Sequence, residues 1–188
     1  ILRFAPPSIP RAVNAGLREA RNPVVLFVDD DVVPAPDLVA AHAVRYAEGP
    51  VAVCGQVLQP GEGPDPAANR GPRATGFRAD LDFRFNGTHA TEVANVISCN
   101  LSVDRAAALA IGGFDERSVG YGGEDTDVGK VVDRAGVAIA WIKGGLAYHQ
   151  HHPHHMPPVH HLDSVVRNAE LFEAKWGYRT DRKSTRLN

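Results

Sequence analysis

Apolar and polar positions along this chain fall into runs of different period. Val24-Val25-Leu26-Phe27-Val28 is unbroken and apolar, and it ends in three carboxylates, Asp29-Asp30-Asp31. Such a run reads as a strand buried on both faces, and strands of that kind belong to parallel sheets covered by helices. Before it, Val13, Leu17 and Ala20 recur at helical spacing behind Ser8 and Pro10, which suit a cap and a first turn. After the acids, Pro34-Ala35-Pro36-Asp37 opens a second helix over 38–48, which Gly49-Pro50 ends. Residues 51–58 alternate loosely as another strand.

The second half reads in the same way. Residues 93–103 predict a strand carrying Asn100, Asp104 caps a short helix through Ile111, and Gly112-Gly113-Phe114-Asp115-Glu116 is a turn. Gly120-Tyr121-Gly122-Gly123-Glu124-Asp125-Thr126-Asp127 leads into a helix to Arg134, ended by Ala135-Gly136, and 137–142 predicts a further strand. Val165, Ala169, Phe172 and Trp176 have the spacing of a packing helix over 164–176. Between these elements, 59–76 is rich in Gly and Pro without a period and reads as a long loop. Residues 77–85 fit a short strand or an irregular wall equally, and 177–188 reads as a disordered tail whose last six residues continue no pattern.

Composition bounds what these elements form. A chain of 188 residues, 44% hydrophobic and 22% charged, is one soluble globular domain with a real core. A formal charge of -2 argues against broad binding of nucleic acid or anionic membrane. Cys54 and Cys99 lie far apart in apolar segments and read as buried free thiols, which fits a reducing, cytoplasmic compartment. No signal peptide or bilayer-spanning run is present, and the chain begins without Met inside what reads as a unit, so a fragment is expected.

The acids carry the candidate chemistry. A carboxylate cluster at the carboxyl end of a strand in an open α/β sheet is placed to hold a divalent cation and, through it, a phosphate. The alternative is that Asp29 to Asp31 only stop the strand and cap the next element. Near Glu124 and Asp125, glycines allow close backbone approach to a ligand and the helix dipole favours ionised acids. An ionised carboxylate facing a cleft is a candidate general base, with simple capping as the competing reading. A calcium-binding repeat fails because the pattern occurs once. Seven histidines crowd 149–161, forming either a zinc site or a solvated loop over the site; Pro153, Pro157 and Pro158 favour the loop. Protonating all nine histidines would take the formal charge from -2 to +7, so strong pH dependence below neutrality is expected.

Taken together, Ile9-Pro10-Arg11-Ala12-Val13-Asn14-Ala15-Gly16, Phe27-Val28-Asp29-Asp30-Asp31, Asn100-Leu101-Ser102-Val103, Gly112-Gly113-Phe114-Asp115-Glu116 and Gly122-Gly123-Glu124-Asp125-Thr126-Asp127 resemble, in order and spacing, the family 2 glycosyltransferases. The second half also resembles the C-terminal region of the β-1,4-galactosyltransferases. The resemblance covers about residues 8–150. It implies a GT-A fold, a Rossmann-like α/β sandwich with a mainly parallel central sheet flanked by helices. A single catalytic domain over 1–176 would hold a donor and metal half at 1–58, an acceptor half at 77–150, and a His-rich loop with a C-terminal helix at 151–176. The family's first strand, nucleotide-binding loop and helix would lie upstream of this chain.

The implied activity is metal-dependent, inverting transfer of a hexose from a nucleoside diphosphate sugar, expected to be a UDP-sugar, to a saccharide or other hydroxyl acceptor. Mn²⁺ or Mg²⁺ is the implied cofactor, and neither a nucleic acid partner nor a membrane span is expected. By similarity Asp29 and Asp31 form the Asp-x-Asp element, with Asp31 the direct metal ligand and Asp29 or Asp30 nearer the ribose or sugar. Arg11 matches a nucleotide-contacting position, or is an exposed helix charge; Asn14 is a weaker match. Asp125 matches the catalytic base, beside acceptor-binding positions at Glu124, Gly123 and Tyr121, where the galactosyltransferases carry Trp in place of Tyr121. Asp127 is expected to stabilise the helix start. His149 matches a histidine completing the metal shell, which would favour manganese. Two rival classes remain: a non-catalytic nucleotide-sugar or sugar-binding module, and a glycoside hydrolase, which also uses paired carboxylates. A nucleotidyltransferase would share the fold but has no need of a base at Asp125.

Overall fold

The computed structural model describes residues 8–49, 51–58, 96, 98–150 and 159–179. Helix α1 (Ile9–Glu19) starts where its signals predict: the Ser8 hydroxyl accepts from the Arg11 N–H, Pro10 sits in the first turn, and Leu17 is buried. Strands β1 (Val24–Val28) and β2 (Val32–Pro34) flank the acids, followed by α2 (Leu38–Ala43) and β3 (Val51–Leu58). The helix expected over 38–48 tightens into a 3₁₀ turn at Val44–Glu48, a common way for a terminus to satisfy its last carbonyls.

Strand β4 (Asn100–Asp104) is shorter than expected, with a turn at Ser98-Cys99, and Asp104 caps α3 (Arg105–Ala110) by accepting from the Ala107 N–H at 2.8 Å. Helix α4 (Glu124–Arg134), strand β5 (Ala138–His149) and helix α5 (Leu162–Trp176) complete the elements. β5 continues past 142 because Gly145, at φ 66°, lets the strand bend beside α2, where a Cβ would stand 3.0 Å from Ala41 Cβ. The readings for 59–76, 77–85, 93–95, the histidines at 151–158 and the tail from 180 lie outside the described residues.

The sheet order is β1-β4-β3-β5-β2. A mainly parallel sheet is corrected here: β1, β3 and β5 share a direction, but only β3 and β5 are parallel neighbours. β4 lies antiparallel between β1 and β3, and β2 runs against β5. The chain leaves β3 and re-enters at β4 on the same edge of the sheet, so β4 can only run back. β1 is also less buried than expected, with Val24 to Phe27 half-buried and Val28 exposed, because β4 is its sole partner among the described strands.

Alternation along β4 builds two different faces. Leu101 and Val103 join Leu17, Phe114, Val128, Val132 and Trp141 in the main core beneath α1 and α4, where Phe27 meets Phe114 edge to face at 6.0 Å. Asn14 pins the turn that carries Phe114: its side chain donates to the Phe114 carbonyl at 2.8 Å and accepts from the Phe114 N–H at 2.9 Å.

Asn100 and Ser102 face α2 instead, and there meet His42, which is 2% exposed. The Asn100 amide nitrogen donates to the carbonyls of Gly145 and Gln56, so its oxygen must accept from His42 Nε2, 2.9 Å away. Tyr46 donates to Ser102 Oγ at 2.9 Å, and Ser102 in turn donates to His42 Nδ1 at 2.7 Å. Every member is satisfied only with His42 neutral, and burial holds it below its ordinary value of 6.5.

His42→Ala would leave Asn100 Oδ1 and Ser102 facing a cavity, at a cost of about 3–5 kcal/mol, read as a melting temperature lower by about 10 °C. Because the unfolded chain takes up a proton that the fold refuses, the His42 contribution is complete above pH 6.5 and declines below it. Denaturation of both proteins across that range should show the variant less sensitive to acid.

Candidate functional site

The strand directions gather the acids at one edge. Asp29 to Asp31 form the turn from β1 to β2, closed by the Val32 N–H donating to the Asp29 carbonyl at 3.2 Å. Pairing of Val32 with His149, extended by the Gln150 N–H to the Asp31 carbonyl at 2.7 Å, sets His149 Nε2 3.3 Å from Asp31 Oδ2. On the other side, pairing of Val28 with Asn100 brings the turn at Ser98-Cys99 to the end of β1. The Ser98 N–H donates to Asp125 Oδ1 at 3.1 Å and fastens the first turn of α4 to the same edge.

The electrostatics show how crowded this edge is. Burial, with the charges of Glu124 and Asp29 adding to it and Ser98 opposing, pushes Asp125 up to about 7. Glu124 is raised by burial and by Asp29, against backbone N–H groups of Glu124 and Gly122, and its buried Oε2 has no hydrogen-bond partner among the described residues. Asp29 keeps accessible surface, yet the protein packed round it and the Asp31 carboxylate hold it above its usual range, with His149 acting the other way. Cys99 lies in the middle: burial, then Asp29, Asp125 and Asp31, keep its thiol protonated.

Asp31 and His149 are the pair best placed to share a cation, with Asp29 next to them. A carboxylate facing an imidazole suits Mn²⁺, and the repulsion between Asp29 and Asp31 is what a cation would relieve. Among the described residues no group of three or more His, Cys, Asp or Glu is arranged to hold a metal ion.

The approach to Asp125 is a loop in which Gly120, Gly122 and Gly123 take φ of 82°, 102° and 89°. Gly123 occupies the cap position of α4 without a side chain to offer, and Tyr121 is exposed, its ring stacked on His161 at 5.0 Å and 16°. Asp127 turns away from the acids and accepts from Lys175 Nζ and Trp176 Nε1, both at 2.7 Å, so it seats α4 on α5. Asp30 is exposed on its turn. Arg11 lines a separate open cleft of about 590 Å³ with Asn14, Phe114, Glu116, Arg117 and Lys175, and no described contact joins it to the acids.

Ser98 and Asn168 belong to this region and were not singled out from sequence, while Cys99 was read only as a buried thiol and His161 only as one of the histidines at 149–161. Asn168 carried a signal of its own: it is a polar residue on the stripe formed by Val165, Phe172 and Trp176, and is 3% exposed.

A family model for glycosyl transferase family 2 matches residues 9–108, more than half of the chain, and one for the N-terminal domain of galactosyltransferase matches 88–155. Among solved structures, GalNAc-T7 crystallised with UDP, GalNAc and Mn²⁺ superposes with a TM-score of 0.59 at 13% identity, over 86% of this chain and 34% of that one. Mannosyl-3-phosphoglycerate synthase from Rubrobacter xylanophilus gives 0.53 at 16% identity, over 94% of this chain and 54% of that one. The chain thus spans about a third of the first and just over half of the second, and the likeness is one of fold. No curated protein matches the sequence significantly. No described helix is long and apolar enough to cross a membrane.

Proposed function

Because the chain belongs to glycosyl transferase family 2 and has the GT-A fold, we propose that it takes part in metal-dependent, inverting transfer of a sugar from a nucleoside diphosphate sugar to a hydroxyl acceptor. The observation that carries this reading is Asp125, raised to about 7 and set in the field of Asp29 by the Ser98 contact. A carboxylate tuned to neutral pH is suited to take a proton and return it to solvent.

In this reading the acceptor lies against the Tyr121 ring, with Gly123 and Glu124 beside it. Asp125 takes the acceptor's hydroxyl proton as that oxygen bonds to the anomeric carbon. The bond from that carbon to the diphosphate breaks with its electron pair leaving on the nucleoside diphosphate, and attack from the opposite face inverts the configuration. On the donor side Asp29 or Asp30 contacts the ribose or sugar. Asp31 and His149 would hold the cation, whose chemistry when bound is to offset the charge growing on the leaving diphosphate. The UDP and Mn²⁺ of the GalNAc-T7 crystal support a uridine donor and manganese for this chain.

The test is a pH profile of transfer with a panel of nucleoside diphosphate sugars. Only ionised Asp125 accepts a proton, so kcat/KM falls as pH drops through its pKa, with a midpoint at or below about 7 because a bound cation offsets the charge of Asp29. That acid limb should disappear from the residual activity of Asp125→Asn. The same limb persisting in the variant would remove Asp125 from the role of base.

A further inference from the structure

The loop that aims Glu124 and Asp125 has little stiffness of its own. Three glycines with positive φ leave its backbone free to adopt many shapes, and its polar groups need partners from elsewhere. α5 supplies them. The Asn168 amide nitrogen donates to the Gly122 carbonyl at 3.0 Å and to those of Val119 and Tyr121 at 3.4 Å, while its oxygen accepts from the Val119 N–H at 3.4 Å. One turn earlier, Ser164 Oγ accepts from the Tyr121 N–H at 3.2 Å. Arg167 donates to the Val119 carbonyl at 2.6 Å. The loop's other flank meets Ser8, whose hydroxyl donates to the Ser118 carbonyl at 3.2 Å. At its far end α5 is tied to α4 itself through Lys175 and Trp176 on Asp127.

We propose that Asn168 is a positioning residue for transfer: through the carbonyls of Val119, Tyr121 and Gly122 it fixes the direction in which Glu124 and Asp125 enter the site, which makes α5 part of the working machinery. The inference rests on the glycosyltransferase reading for its catalytic consequence and on geometry alone for its structural one. Its control is Phe172, equally buried four residues further along the same helix, which packs on the rings of Trp176 and Tyr178.

The experiment compares Asn168→Ala with Phe172→Leu by amide hydrogen exchange, UDP binding with Mn²⁺, and separate kcat and KM values for donor and acceptor. Asn168→Ala is expected to speed exchange at Tyr121 to Asp125 by about tenfold or more, and to lower kcat by about 10²-fold, with UDP binding unchanged. Phe172→Leu is expected to lower the melting temperature while leaving that exchange and kcat near wild type. Should Asn168→Ala not fold, Asn168→Leu fills about the same volume with neither donor nor acceptor and carries the same expectations. Unchanged exchange at Tyr121 to Asp125 in the Asn168 variant overturns the inference whether or not a donor has been found. So does an equal loss of kcat in both variants. Absence of transfer by wild type, with exchange at the loop raised as expected, would count against the transferase reading and leave the positioning role standing.

Discussion

Replacing Asp125 with Asn lowers kcat by about 10²- to 10⁴-fold, while UDP binding with Mn²⁺ stays as in the native chain. The amide keeps the size of the carboxylate and can still accept from the Ser98 N–H, so the first turn of α4 stays fastened to the sheet edge. What it cannot do is take a proton. The same substitution should make the protein more stable at alkaline pH. A carboxyl whose pKa is raised in the fold is protonated there while the unfolded chain is already ionised, so stability falls as pH climbs from 3.8 to about 7. Asn does not titrate and escapes that loss. Melting curves at pH 8 should therefore place Asp125→Asn above wild type, a gain in stability coupled to a loss of turnover. Unchanged kcat, or a collapse of donor binding, would show that Asp125 serves the structure and not the chemistry.

Asp31→Asn carries the second large effect, on binding instead of turnover. Asp31 Oδ2 lies 3.3 Å from His149 Nε2, Asp31 in the turn just before β2 and His149 at the end of its antiparallel partner β5. Removing one charge from that pair should weaken Mn²⁺-dependent UDP binding by at least the 10- to 100-fold or so typical of outer-shell partners. Calorimetric titration of UDP with and without Mn²⁺ reads this directly. His149→Ala should reduce the preference for Mn²⁺ over Mg²⁺, since the imidazole is the donor that separates the two ions. If Asp31→Asn binds UDP with undiminished Mn²⁺ dependence, the cation is held elsewhere.

Much of this was legible in the residues. The apolar run into Asp29, the Ser8 and Asp104 caps, and the end of α4 at Arg134 all follow from local preferences that tertiary contacts reinforce. The direction of β4 was not legible, because side-chain alternation is the same for a strand run either way. With it was lost the meeting of Ser98 with Asp125, which depends on pairing Val28 with Asn100 across a long stretch of chain. His42 gave no signal among the alanines and valines of α2, since its partners Asn100 and Ser102 come from a distant strand. Arg11 shows the limit of a motif match, which fixes a position along a helix but not what the helix faces; here Arg11 lines the cleft with Glu116 and Arg117.

The antiparallel pairing of β3 with β4 makes these two strands neighbours in the sheet although residues 59–99 lie between them in sequence. Both strands stand in the core, with Cys54 opposite Leu101. The entropy of closing a flexible connection grows only with the logarithm of its length, about 0.6 kcal/mol for each doubling. Closure therefore depends little on how many residues lie between the two strands, and the apolar contacts of Val96, Cys54 and Leu101 decide whether β4 stays in place. Ser98 leads into β4 and its N–H holds Asp125, so whatever loosens those contacts reaches the first turn of α4 as well.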